Sequence, residues 1–239
     1  MPDRVCCFAP RERGGFLLAL AKSLAFFDLQ TGSIDRFAPF EPDNPHTRLN
    51  DGRTDRRGRM IVGGMNEVTG AADSTVIRVD LDRSVETIIT GVACANSTCF
   101  SADGRTMYFA DTPLRTISAY DYDPATGRLG ARRDHAILKG QPGMPDGSCV
   151  DAEGGLWNAL WEGSRIIRIT PDGKLDRVIE VPVPKPTCCT FGGSDLETLF
   201  ITTSRLMSTE SELKLAPLSG GLFSCRPGVH GIEDVPFAG

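Results

Sequence analysis

Three short segments hold the side chains best suited to chemistry: Arg48-Leu-Asn50-Asp51-Gly52, Ala95-Asn96-Ser97 and Pro142-Gly-Met-Pro-Asp146-Gly147. Each presents a carboxylate or amide oxygen on a short stem. Oxygen ligands of this kind suit a hard divalent cation such as Ca²⁺, Mg²⁺ or Mn²⁺. Taken singly, each segment also reads as a turn, because Asn, Asp and Gly favour tight reversals of the backbone. What favours a shared site is their recurrence at one relative place in a repeat. Asp51, Asp55, Asp103, Asp111, Asp121 and Asp123 read as turn-forming or strand-stabilising residues. The basic runs Arg53 to Arg59 and Arg132-Arg133 read as solvated faces.

Other chemistry finds little support. No serine sits in a Gly-x-Ser-x-Gly elbow, and no histidine has a paired serine or cysteine, so a covalent nucleophile is not expected. Eight cysteines include two vicinal pairs, Cys6-Cys7 and Cys188-Cys189, but no C-x-x-C. Neighbours on a strand face opposite ways, so most of the thiols read as small apolar core residues, with zinc a distant second. His46, His135 and His230 show no ligand spacing and read as surface or loop residues.

The elements that would position these residues recur along the chain. An apolar stretch, a polar turn with Gly and an alternating apolar run appear at Phe8–Ala19, Gly52–Gly63, Cys99–Ala110, Cys149–Ala159 and Cys189–Thr202. Counted from Gly14, Gly58, Gly104, Gly154 and Ser194, the spacings are 44, 46, 50 and 40. Further period-2 strands follow, such as Val76–Asp80 and Ile166–Ile169, closed by Gly and Asp turns. Several short strands per 40–50 residues are the signature of an all-β propeller. Five units are visible, in a single domain over 1–239, with one helical turn at Ser208–Leu213, where Thr209 and Glu212 can form a capping box.

Composition narrows the partners. Of 239 residues 40% are apolar and 24% charged, as in ordinary globular chains, and the net charge is −5 with no long Lys/Arg run. Nucleic acid and anionic membrane are therefore not expected as partners. No apolar run approaches a membrane span and no export signal is recognisable, so a reducing, cytoplasmic setting is expected.

Several stretches carry a resemblance over nearly the whole chain: Arg48-Leu-Asn-Asp-Gly-Arg-Thr-Asp-Arg-Arg-Gly-Arg59, Asn96-Ser-Thr-Cys-Phe-Ser101, Tyr120-Asp-Tyr-Asp-Pro-Ala-Thr-Gly127, Pro145 through Trp157, and Pro186-Thr-Cys-Cys-Thr-Phe-Gly-Gly193. The sequence resembles the senescence-marker/gluconolactonase (regucalcin-like) family. The resemblance implies a six-bladed propeller with one divalent metal in its axial channel, whether Ca, Zn, Mn or Mg, and hydrolysis of sugar lactones. It implies Asn96 and Asp146 as metal ligands, Asp146 in proton transfer, and Arg48, Asn50 and Glu67 as substrate contacts. The family's first metal ligand, a Glu in a Gly-Glu-x-Pro segment of the first blade, has no counterpart here, and Glu12 lies in a repeat turn. The expectation is therefore a six-bladed type with an incomplete first blade and weak metal binding.

The reaction so implied is attack of water on a metal-polarised lactone carbonyl, with a carboxylate taking the proton and Arg48 and Asn50 holding the sugar. The expected partner is a small sugar lactone, and the expected state a monomer or weak homo-oligomer. The alternative is an inactive or non-catalytic propeller that binds a metal or a small molecule.

Overall fold

Alternating apolar residues punctuated by glycine turns build five antiparallel sheets in succession. The computed structural model describes residues 3–239. The first sheet holds β1 (Val5–Pro10), β2 (Phe16–Leu20), β3 (Ser23–Phe27) and β4 (Ile34–Pro39). The second holds β5 (Thr47–Thr54), β6 (Met60–Asn66), β7 (Ser74–Val79) and β8 (Val85–Val92). The third holds β9 (Ala95–Phe100), β10 (Thr106–Asp111), β11 (Thr116–Asp123) and β12 (Arg128–Ile137). The fourth holds β13 (Met144–Val150), β14 (Leu156–Trp161), β15 (Arg165–Ile169) and β16 (Leu175–Glu180). The last holds β17 (Pro186–Gly192), β18 (Thr198–Thr203) and β19 (Leu222–Cys225).

Each sheet is a blade that begins on its innermost strand. β1 packs beside β5, β5 beside β9, β9 beside β13 and β13 beside β17. Apolar layers fill the spaces between blades. Leu17, Leu24, Leu49 and Met60 join the first two, and Ile61, Phe100 and Met107 the second and third. Ile117, Leu156 and Ile167 join the third and fourth, and Trp157, Ile166 and Leu199 the fourth and fifth. The first hairpin of every blade turns on a glycine with positive φ: Gly14, Gly58, Gly104, Gly154 and Gly193. Such angles are costly for a residue with a Cβ, which is why glycine recurs there. Gly193, rather than Ser194, fills the fifth place.

The blade count differs from the expectation. The propeller has five blades, and the first is not incomplete. β1 pairs with β2 from Val5↔Leu20 to Pro10↔Phe16, so the blade expected to be incomplete has its inner strand. The short blade is the last, with three strands. After β19 the chain leaves its sheet and crosses the face where the glycine hairpins lie. Gly231 N–H donates to the Leu196 carbonyl, the His230 carbonyl accepts from Ala152, and Phe237 N–H donates to Pro10. The Thr54 hydroxyl donates to the Val235 carbonyl, and Ala238 N–H donates to Gly58. This strap buries Phe237 completely.

The strap also corrects the reading of the basic run as a solvated face. Arg53 pairs with Asp234 at 2.5 Å, and Arg56 donates to the Glu233 carbonyl at 3.0 Å. Arg59 is buried against Asp55, Nε to Oδ2 at 3.0 Å. Arg132 and Arg133 do lie on the surface. The one α-helix among the described residues, α1 (Glu210–Leu215), starts on a capping box between Thr209 and Glu212.

Candidate functional site

All five inner strands break register, and three of the breaks carry the residues marked in the sequence. Leu49 faces Gly64 and Gly52 faces Val62, so Asn50 and Asp51 share the single partner Gly63. Ser97 and Thr98 likewise oppose Phe109, and Asp146 and Gly147 oppose Ala159. An extra residue of this kind bends the strand and re-aims its side chains. Each bulge lies toward the start of its inner strand, at the end of the channel away from the strap. Glycine after the acidic residue is dictated by space: a Cβ on Gly147 would lie 2.5 Å from Cys188 Sγ.

The bulges gather Arg48, Asn50, Asn96 and Asp146 from three blades. Arg48 Nη1 donates to Asn50 Oδ1 at 2.7 Å, and Arg48 Nε to Glu67 Oε2 at 2.8 Å. Arg4 reaches the other Glu67 oxygen at 2.7 Å. Asn50 Nδ2 donates to the Ala95 carbonyl at 2.9 Å and to Asn96 Oδ1 at 3.3 Å. Asn96 is buried and donates to Thr112 Oγ1 at 2.8 Å, while that hydroxyl donates to the Pro145 carbonyl at 2.8 Å. This orientation aims Asn96 Oδ1 at Asp146 Oδ1, 2.9 Å away. Reversing the amide lets it donate to Asp146. The reversed amide, however, brings its nitrogen against Asn50 Nδ2 and asks the single Thr112 proton to serve two acceptors.

Electrostatics mark the same spot. Burial pushes the Asp146 carboxyl well above the usual range, and the nearby Asp51 charge adds to the shift. Asp51 is itself raised by burial, opposed by the Thr98 N–H at 2.9 Å. Hydrogen bonding from Arg4 and Arg48 lowers Glu67. Cys94 Sγ lies 3.5 Å from Asn96 Nδ2, and burial raises its thiol to about 11. The arrangement thus combines two carboxylates that favour protons or a cation, two amides, and a guanidinium donor at the rim.

The sequence reading assigned Asp51 to a turn and did not single out Arg4, Thr112 or Cys94. Asp51 was adjacent to a marked residue, whereas the other three carry no motif. Glu12 lies at the strap end, where its N–H donates to the Phe237 carbonyl. Among the described residues, no three His, Cys, Asp or Glu side chains gather as a metal cage.

Comparison with known proteins agrees with this architecture. The chain is 39% identical to L-arabinolactonase of Azospirillum brasilense, over 100% of this chain and 80% of that protein. It is 35% identical to 6-deoxy-6-sulfogluconolactonase of Pseudomonas putida, over 100% and 82% of the two chains. The crystal structure of a calcium-binding regucalcin from Agrobacterium tumefaciens superposes with a TM-score of 0.95 at 29% identity, covering 99% of this chain and 80% of that one. The family model for the SMP-30/Gluconolactonase/LRE-like region matches residues 1–205, and the chain belongs to that family.

Proposed function

We propose that this propeller hydrolyses sugar lactones with one divalent cation held by Asn96 and Asp146. The observation that carries the reading is the approach of the Asn96 amide to Asp146 Oδ1, 2.9 Å apart at the end of the channel although the two residues come from different blades. With its oxygen turned to the carboxylate, the amide would share a proton or a cation with Asp146. That orientation satisfies Thr112, Pro145 and Asn50 together. Asp51 adds a second negative charge nearby, so the donor set suits a hard cation such as Ca²⁺, Mn²⁺ or Mg²⁺, with Zn²⁺ also tolerated by oxygen and amide ligands. When bound, the cation would withdraw electron density from the lactone carbonyl.

The protein's own groups supply the rest. Arg48, fixed through Nη1 by Asn50 Oδ1 and the Leu49 carbonyl and through Nε by Glu67, donates from Nη2 to the hydroxyls of the sugar and sets its orientation. Glu67 accepts from a further hydroxyl at the rim. Asp146 accepts the proton of the attacking water as the oxygen–carbon bond forms. It returns that proton to the ring oxygen as the ester bond breaks, leaving the open-chain hydroxy acid. Burial and the nearby Asp51 charge raise its proton affinity.

The names of the relatives support the substrate class, because the two curated relatives above are lactonases. A second reading is a propeller that binds a metal or small molecule without turnover. The experiment that separates them follows hydrolysis of L-arabino- and gluconolactone, corrected for spontaneous opening, with EDTA or with each cation in turn. Cation-dependent turnover supports the hydrolase. Cation binding without turnover supports the binding module.

A further inference from the structure

We propose that Ser97, Ser148 and Asn158 form a positioning network for Asp146, with Asn158 as its hub; the inference rests on the hydrolase reading above. The bulge that turns Asp146 into the channel takes its backbone out of the β13–β14 ladder. A buried carbonyl left without a donor costs about 1–3 kcal/mol. Here side chains restore the missing donors. The Asp146 carbonyl accepts from Asn158 Nδ2 at 2.9 Å and from Ser97 Oγ at 2.8 Å. Asn158 Nδ2 also lies 2.9 Å from both Ser97 Oγ and Ser148 Oγ, and the two hydroxyls are 3.2 Å apart. All three residues are buried at 1% exposure or less, so packing fixes their rotamers.

Two features argue that these residues are placed for Asp146 rather than for stability alone. Ser97 holds φ at +60°, a region where a glycine would sit without strain, and its hydroxyl is what a glycine would lack. Asn158 leaves its buried Oδ1 without a hydrogen-bond partner, so only its donor end is used. The neighbouring residue completes a double grip. Asn96 reaches the Pro145 carbonyl through Thr112, while Ser97 reaches the Asp146 carbonyl directly. Consecutive residues of β9 therefore hold consecutive carbonyls of β13, and the spacing of the Asn96 amide and the Asp146 carboxylate is set by this clasp. Outer hydrogen-bond partners of this kind govern ligand orientation.

The test compares the parent with Asn158→Leu, which keeps volume and removes the donor, and with Ser97→Gly, which suits the backbone angle and removes one hydroxyl. Crystal structures and lactone kinetics are measured on both variants. The expected result is folded protein, an Asp146 carboxylate displaced or split between two orientations, and kcat lowered about 10–100-fold with KM nearly unchanged. A purely structural role would lower thermal stability without moving the carboxylate or separating kcat from KM. Folded variants with the carboxylate in its parent place and kcat within about twofold of the parent overturn the proposal. If the parent itself turns over no lactone, the hydrolase reading fails separately, and the carboxylate position in the variant structures still decides the network.

Discussion

Replacing Asp146 by Asn should stabilise the metal-free protein while abolishing its response to cations. Without a cation, and with Asp146 ionised, Asn96 has two poor choices. Facing Asp146 with its oxygen sets two acceptors 2.9 Å apart, and facing it with its nitrogen disturbs Thr112 and Asn50. Either choice forfeits about one hydrogen bond, about 1 kcal/mol. An Asn at this place donates to Asn96 Oδ1 and keeps the other partners. It also removes the repulsion from Asp51 that helps raise the Asp146 carboxyl. For a chain of this size about 1 kcal/mol corresponds to about 2–4 °C in Tm. The assay is thermal unfolding at neutral pH with EDTA and again with excess Mn²⁺. The parent should gain about 2.7 kcal/mol at a hundredfold excess over Kd, and the variant should gain nothing. An Asp146→Asn protein that melts below the parent in EDTA, or that is still stabilised by Mn²⁺, would refute the geometry argued for the facing oxygens.

Three other outcomes are expected. Arg48→Lys loses the geometry that joins Asn50 to Glu67; forfeiting one charged hydrogen bond, about 1.5 kcal/mol, should raise KM about tenfold with kcat little changed, read from steady-state kinetics. Phe237→Ala opens a cavity beneath the strap and should cost about 3–5 kcal/mol, visible as a Tm lower by about 6–20 °C. His135 is held below its usual pKa by burial and by Arg133, so the unfolded chain binds its proton more readily. Stability from this residue is therefore present above about pH 6.5 and lost as pH falls through that value. Urea titrations should show His135→Gln losing less stability than the parent between pH 7 and pH 5.

The repeat was legible because glycines at positive φ close each first hairpin, and that requirement leaves a trace at Gly14, Gly58, Gly104 and Gly154. The gathering of Arg48, Asn50, Asn96 and Asp146 was legible for a related reason. Their bulges stand at one place in each inner strand, so the same residue types recur in register. Asp51 was hidden by its own motif, since Asn-Asp-Gly also forms turns. Thr112 and Asn158 were hidden because contacts across strands and between blades decide their partners, and no spacing along the chain encodes them. The basic run from Arg53 misled for the same reason. Its partner Asp234 lies in the strap, far along the sequence. The first blade was misjudged because a missing Gly-Glu-x-Pro segment was read as missing strand, whereas Val5–Pro10 pairs with β2 from Val5↔Leu20 to Pro10↔Phe16.

Asp146→Ala tests the proposed chemistry in one comparison. Initial rates of sugar-lactone hydrolysis would be measured for the parent and the variant, with EDTA and with Mn²⁺ or Ca²⁺, after subtracting spontaneous opening. The parent should turn over lactone only with a cation, and the variant should lose about 100-fold or more, as expected when a proton acceptor and a metal ligand vanish together. A variant that hydrolyses lactone at the parent's rate, or a parent whose rate is the same in EDTA, would show that neither Asp146 nor a cation drives the reaction.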